Sequence, residues 1–165
     1  NGKSYGKQSK NNSSLKNRYR LMWMDAVYEP GEVKVVAYNK EGKAVAEKVV
    51  RTAGKAHHIE LVSNRNELTA DGKDLAYVTV KVVDKDGNLC PTDNRQINFS
   101  AKGTGKYRAA ANGDPTNLEQ FHLPKMHAFN GMLTAIIQAG ETAGEIVFTA
   151  KANGVKAGNI RIQTK

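Results

Sequence analysis

The sequence predicts an all-β protein, and three observations lead to that class. Short segments alternate between apolar and polar residues, turn-forming residues separate them, and no segment keeps an apolar repeat of about 3.6 residues over the length of a helix. Hydrophobic residues make up 39% of the chain, which is enough for a packed core, and the 15 glycines indicate many turns. A length of 165 residues suits one ordinary domain or two small ones.

The first part of the chain predicts three strands. They cover residues 19–23, 33–38 and 44–50. In the second of these, Val33, Val35 and Ala37 share one face because side chains alternate along a strand. Residues 40–43 have the composition of a tight turn, so the second and third strands are expected to form a hairpin.

The alternating pattern starts again after residue 57 and predicts about seven strands. They cover residues 58–63, 75–83, 96–101, 106–111, 132–139, 145–151 and 159–164. Seven short strands at this spacing are typical of an immunoglobulin-like (Ig-like) β-sandwich.

The chain opens on Asn1-Gly2, a strong signal for a hairpin turn, although no strand precedes it. We therefore expect a piece of a longer protein that is cut inside its first unit. Residues 1–54 are predicted to be the latter strands of one Ig-like β-sandwich, which is N-terminally incomplete. Residues 58–165 are predicted to be a complete second one. The boundary is expected near residues 53–57, where small residues separate the two strand sets.

Composition narrows the classes of function. No run of about 18 apolar residues is present, so no membrane span is predicted, and residues 1–18 lack the apolar centre of a secretory signal. A lone Cys90 leaves no internal disulfide and no cysteine-based zinc site. The net charge of +9 would suit an anionic partner, but the basic residues are dispersed and form no stripe interleaved with aromatics. Nucleic-acid binding is therefore not predicted.

Residues 112–131 hold the densest chemistry in the chain, with acids, two histidines and two aromatics between two Asn-Gly pairs. Catalysis by paired carboxylates needs two acids held across a cleft at a defined separation. Glu67 and Glu119 lie in or beside turns without a visible partner, so both are interpreted as solvated acids and no catalytic residue is predicted. The Asn-Gly pairs favour a long ordered loop that joins two strands of one sandwich.

No metal site or cofactor is predicted either. His122 and His127 are five residues apart with Pro124 between them, which breaks the helical face that a metal pair at four-residue spacing would use. Residues 84–88 are similar to part of a calcium loop, but the position of its closing acid falls on Arg95. A hairpin turn explains that segment better.

Aromatic and histidine side chains are the remaining candidates for contact. Exposed aromatic rings can stack on sugars, whereas in a β-sandwich they more often pack in the core, and Trp23 is expected to point inward from its strand. The candidates for contact with a carbohydrate or with another domain are Trp23, Tyr28, Phe121, His122 and His127.

Two long runs carry a resemblance that covers nearly the whole chain. Residues 1–8, NGKSYGKQ, and residues 19–54 resemble the Ig-like domain that follows the catalytic barrel in bacterial glycoside hydrolase family 2 enzymes, chiefly β-galactosidases. Residues 59–140 resemble the next domain of the same enzymes, a sandwich similar to the Ig-like repeats of invasin and intimin. The pairing of NGDPT with a downstream AFNG is typical of the hydrolase version.

The resemblance implies a parent enzyme that hydrolyses terminal β-galactosides with retention of configuration. Its catalytic barrel needs about 250 residues, so it lies outside this chain and no catalytic residue is carried over. The expected partners are the barrel and the other domains of the parent, with a glycan or a second copy of the chain left open. The implied location is the periplasm or the cell exterior. A carbohydrate-binding module and an adhesin-type Ig-like repeat remain the alternative functions.

Overall fold

The computed structural model describes all 165 residues and is 46% strand and 3% helix, which confirms the predicted all-β sandwich class. It divides into two compact units, Asn1–Thr52 and Ala53–Lys165. The elements are α1 (Leu15–Tyr19), β1 (Glu32–Tyr38), β2 (Ala44–Arg51), β3 (His58–Ser63), β4 (Glu67–Leu68), β5 (Leu75–Val83), β6 (Gln96–Gly103), β7 (Gly105–Ala111), β8 (Lys125–His127), β9 (Met132–Ala139), β10 (Gly144–Lys151) and β11 (Gly158–Thr164). No helix has the length and hydropathy that crossing a bilayer would require.

The first unit contains the predicted hairpin. Strands β1 and β2 pair antiparallel, with Val33 opposite Val50. No residue of this unit is buried, and Val33 keeps 68% of its surface exposed. The apolar face that the alternation predicted is therefore present but uncovered within these residues.

The strand predicted at residues 19–23 is wrong. The chain forms the short helix α1 up to Tyr19 and is irregular afterwards. Ser14 caps this helix by accepting a hydrogen bond from the backbone N–H of Asn17. A strand needs a neighbour to satisfy its backbone groups, and no strand pairs with residues 19–23. Trp23 was expected to point inward from that strand. It lies outside any strand, and its side chain is half-buried.

The second unit is a sandwich of two sheets. One has the strand order β4-β11-β10-β6-β8 and the other has the order β3-β5-β9-β7. All pairs are antiparallel except β11 with β4. Alternate residues of the central strands face inward and form one core, whose largest fully buried side chains are Phe148, Ile97, Met126, Ile137, Ile146 and Ile162.

The seven strands predicted after residue 57 are all present, within two residues at either end. Two short strands, β4 and β8, were missed because two or three residues cannot display an alternating pattern. Strand β8 lies inside residues 112–131 and pairs with β6. The prediction of one uninterrupted loop over that segment is therefore wrong.

The Asn-Gly turn at the end of this segment has a specific geometry. Asn130 and Gly131 both have positive φ angles, 52° and 77°. Phe129 and Met132 exchange both of their backbone hydrogen bonds across the turn. This is the geometry of a two-residue hairpin turn, for which Asn-Gly is the favoured pair.

Removal of residues 1–52 is expected to leave a folded second unit. Every buried residue of the chain lies at position 59 or later, so the deletion removes none of the core. The measurement is urea unfolding of residues 53–165, followed by far-UV circular dichroism and by intrinsic tyrosine fluorescence. Coincident, cooperative transitions are expected. A molten or aggregated product would contradict the predicted boundary between the units.

Candidate functional site

A loop of residues 112–124, called here the connecting loop, links β7 in one sheet to β8 in the other. Its last part lies along the edge strand β7. The backbone N–H of Ala110 donates to the carbonyl of Phe121 at 2.8 Å, and the Tyr107 hydroxyl contacts the carbonyls of Phe121 and Leu123 at 3.0 and 2.8 Å. Burial raises the pKa of Tyr107 to about 12, so its hydroxyl remains a donor at neutral pH. The connecting loop thus satisfies backbone groups of an otherwise open sheet edge.

The polar residues of the connecting loop bond to one another. Asn112 accepts hydrogen bonds from the Asp114 backbone and the Asn117 side chain, and it donates to the His127 carbonyl at 3.0 Å. The Asp114 carboxylate accepts from the backbone and hydroxyl of Thr116, and these bonds lower its pKa. Asn and Asp side chains favour such local turns because they can mimic a backbone acceptor. These residues therefore hold the shape of the loop.

Glu119 and His127 form a hydrogen-bonded pair that joins the connecting loop to β8. One oxygen of the Glu119 carboxylate accepts a hydrogen bond from the backbone N–H of His127, and the other contacts Nδ1 of the His127 ring. Both distances are 3.0 Å. The glutamate that was predicted to be a solvated acid without a partner thus clamps the connecting loop to β8. The separation of eight positions along an irregular loop matches no regular spacing, so this pairing could not be predicted from the sequence.

The exposed side chains of the connecting loop include two large apolar residues and a histidine. Leu118 keeps 96% of its surface exposed, Phe121 keeps 56%, and His122 is also exposed. These three residues are called the loop tip. Sequence reasoning selected Phe121 and His122 but missed Leu118, because a single leucine in a polar loop carries no periodic signal.

Two of the predicted contact residues lie in the first unit. Tyr28 is 74% exposed and its hydroxyl lies 3.1 Å from the Thr52 hydroxyl. Trp23 is half-buried, and its indole N–H donates to the carbonyl of Gly6 at 3.3 Å. Phe121, His122 and His127 lie together in the second unit, on the connecting loop and on β8.

The two acids that were considered for catalysis each have a hydrogen-bonding partner. Glu67 accepts from the Lys165 ammonium at 2.6 Å, and Glu119 bonds to His127. No group of three or more histidine, cysteine, aspartate or glutamate side chains converges in the chain. Cys90 is buried, and burial raises the pKa of its thiol. The arrangement around the connecting loop offers a shaped, rigid surface, which suits binding.

Replacing Glu119 by alanine is expected to loosen the connecting loop. The variant loses both contacts to His127, and because the pair is partly exposed the expected cost is about 1 kcal/mol. Hydrogen exchange measures this directly, since the His127 amide loses its acceptor and should exchange several-fold faster. The control is Glu141→Ala, which removes an exposed glutamate that makes no ion pair. Unchanged protection of the His127 amide in Glu119→Ala would contradict the clamp.

The fold and the connecting loop define the class of structure, an all-β sandwich with a hydrogen-bonded loop across one sheet edge. Residues 59–161 match the family described as glycoside hydrolase family 2 C-terminal domain 5, and residues 1–46 match a domain of unknown function, DUF4982. The chain belongs to glycoside hydrolase family 2, as a C-terminal region of that family.

Individual relatives agree with that family. The chain is 40% identical over all of its 165 residues to beta-galactosidase BoGH2A of Bacteroides ovatus, and 32% identical over 126 residues to a beta-galactosidase of Thermoanaerobacter pseudethanolicus. A solved glycosyl hydrolase family 2 structure from Bacteroides cellulosilyticus superposes with a TM-score of 0.77 at 31% identity, over 85% of this chain and 18% of that one. The match to the Bacteroides ovatus enzyme covers 100% of this chain but only 19% of that protein. The match to the Thermoanaerobacter enzyme covers 76% of this chain and 15% of that protein.

Proposed function

We propose that this chain is the non-catalytic accessory region of a family 2 enzyme that hydrolyses terminal β-galactosides. The observation that carries the proposal is the match along the whole chain to a β-galactosidase about five times as long. A catalytic barrel of about 250 residues does not fit inside either unit. Glu67 and Glu119 bond to Lys165 and His127 and do not face each other, which supports the same assignment, because a retaining glycosidase needs two carboxylates that face the substrate.

The accessory role that we propose is contact between domains, made by the loop tip. Leu118 and Phe121 are apolar and exposed, yet the backbone that carries them is held by Tyr107, Ala110 and Glu119. A surface that is already ordered loses little conformational entropy when it docks. The partner is another region of the parent polypeptide, which gains a fixed orientation from this contact.

Photo-crosslinking in a longer polypeptide tests this role. The full-length protein carries p-benzoylphenylalanine at position 121, and mass spectrometry identifies the cross-linked peptides. We expect a peptide of the same polypeptide from outside residues 1–165. Position 77 is the control, because Tyr77 is an exposed aromatic residue of β5 with 45% of its surface accessible. Cross-links to a second copy would point to an oligomer contact instead, and equal yields at positions 77 and 121 would refute a specific site.

An activity assay tests the non-catalytic assignment. The 165-residue chain is incubated with a chromogenic β-galactoside, and no turnover above buffer is expected. A mock purification from cells without the gene controls for the host's own β-galactosidase. Turnover that follows the chain through two chromatographic steps would refute the assignment.

We also propose that the parent acts in the periplasm or outside the cell, by resemblance to its family. Cell fractionation with antibody against the second unit tests this location, with a cytoplasmic marker enzyme as the control. Recovery of the antigen with that marker would contradict it.

A further inference from the structure

A shallow depression of about 510 Å³ lies in the second unit, away from the connecting loop. The residues that line it are Lys55, Ala56, His57, Gly154, Val155 and Lys156. Its two walls are the segment before β3 and the turn between β10 and β11. The His57 carbonyl accepts from the Lys156 backbone at 2.9 Å, and the Ile59 backbone donates to the Lys156 carbonyl at 3.0 Å. The backbone of the depression is therefore fixed.

The depression carries two lysines that form no ion pair. Lys55 and Lys156 are exposed, and neither takes part in the eight ion pairs of the chain. Asp84 follows Val83, the residue whose carbonyl accepts from the His57 backbone. The Asp84 carboxylate is buried and accepts hydrogen bonds from the backbones of Gly54, Asp86 and Asn88. Two unpaired ammonium groups beside one concave surface attract anions.

The remaining lining groups suit a small ring with an anionic substituent. The Nδ1 atoms of His57 and His58 lie 3.0 Å apart, so one ring donates to the other and the orientation of His57 is fixed. Ala56 and Val155 supply apolar surface between the lysines, and Gly154 has no side chain to block the approach. The depression is shallow and open, so it would contact one face of a ligand and leave the other in solvent.

We propose that this depression binds an acidic sugar residue, through a carboxylate or a sulfate ester. Lys55 and Lys156 donate to the anionic group, and Ala56 and Val155 contact the C–H groups of the sugar ring. No phenylalanine, tyrosine or tryptophan lines the depression, so a neutral sugar has only the His57 imidazole to stack on and the affinity depends chiefly on charge. This site is independent of the docking role of the loop tip, and either proposal can fail without the other.

Affinity electrophoresis of the 165-residue chain tests the site. Native gels contain polygalacturonate, chondroitin sulfate or neutral galactan, and the retardation gives the affinity for each polymer. We expect retardation by one or both acidic polymers and none by galactan. The double variant Lys55→Gln/Lys156→Gln should bind about tenfold more weakly. Which acidic polymer retards the chain distinguishes a carboxylate ligand from a sulfate ester.

A matched double variant separates this site from the general positive charge of the chain. Lys102→Gln/Lys106→Gln removes the same charge from two exposed, unpaired lysines on β6 and β7, and its affinity should stay within about twofold of the unmodified chain. Thermal unfolding confirms that both variants are folded. An equal loss of affinity in the two variants, no retardation by either acidic polymer, or equal retardation by galactan would overturn the proposal.

Discussion

Replacing Phe148 by alanine is expected to destabilise the second unit by about 3–5 kcal/mol. Phe148 lies on β10 and is fully buried, with its ring 5.9 Å from that of Phe99 at an interplanar angle of 22°. The alanine variant loses the transfer free energy of the ring and leaves a cavity that neighbouring strands cannot fill without breaking their hydrogen bonds. The measurement is the free energy of unfolding in urea at equilibrium.

Phe121→Ala is the matched control for this prediction. The same atoms are removed from a side chain that is 56% exposed, so its free energy of unfolding should stay within about 0.5 kcal/mol of the unmodified chain. The control also serves the proposed function, because a stable Phe121→Ala variant can be tested for loss of interdomain contact without a folding defect. Similar losses in Phe121→Ala and Phe148→Ala would contradict the assignment of the core.

Replacing Asp84 by asparagine is expected to lower the Tm of the second unit by on the order of 10 °C. Asp84 is buried at the end of β5, and its carboxylate accepts hydrogen bonds from the backbones of Gly54, Asp86 and Asn88 and from the Asn88 side chain. An asparagine keeps the volume but points an N–H₂ group at some of these donors. Buried N–H groups then lose their acceptor.

The acid dependence of this effect has a definite sign. The bond from the Gly54 backbone, followed by those from Asn88 and Asp86, holds the pKa of the Asp84 carboxyl well below its ordinary value of about 4. A lowered pKa in the folded state contributes stability above the ordinary pKa, and this contribution is lost as the pH falls through the folded value. The difference in Tm between the unmodified chain and Asp84→Asn should therefore be largest near neutral pH and shrink below about pH 4.

Asp86→Asn controls for the loss of one negative charge in the same turn. Asp86 is exposed and its carboxylate makes no hydrogen bond, so its Tm should change by less than about 2 °C. A comparable loss of Tm in Asp86→Asn, or a difference for Asp84→Asn that persists unchanged at acid pH, would show that the buried acceptor is not the cause.

Local patterns account for the part of the fold that sequence reasoning predicted. In β5, the alternation of Ala76, Val78, Val80 and Val82 with polar neighbours reports directly on which face is buried, because side chains alternate along any strand. The turn at Asn130-Gly131 was equally visible, since it needs residues that accept a positive φ angle. The strand predicted at residues 19–23 failed because alternation cannot tell whether a neighbouring strand exists.

The candidate sites depended on contacts between residues far apart in the chain. Lys55 and Lys156 are far apart in the chain, and only the hydrogen bonds between the start of β3 and the turn before β11 bring them to one depression. Asp84 looked like one acid of a surface turn, whereas the turn folds its carboxylate under backbone groups that include Gly54. No spacing rule connects such residues.

Residues 112–131 illustrate both kinds of information, local sequence preference and contact between distant residues. By itself the sequence determined the all-β class, the turn at Asn130-Gly131 and the polar character of the segment, because these follow from the conformational preferences of adjacent residues. Only the tertiary structure decided that Glu119 clamps His127, that β8 pairs with β6, and that Leu118 and Phe121 face outward. Those outcomes depend on which strands lie side by side, and that arrangement is settled by burial of the whole core.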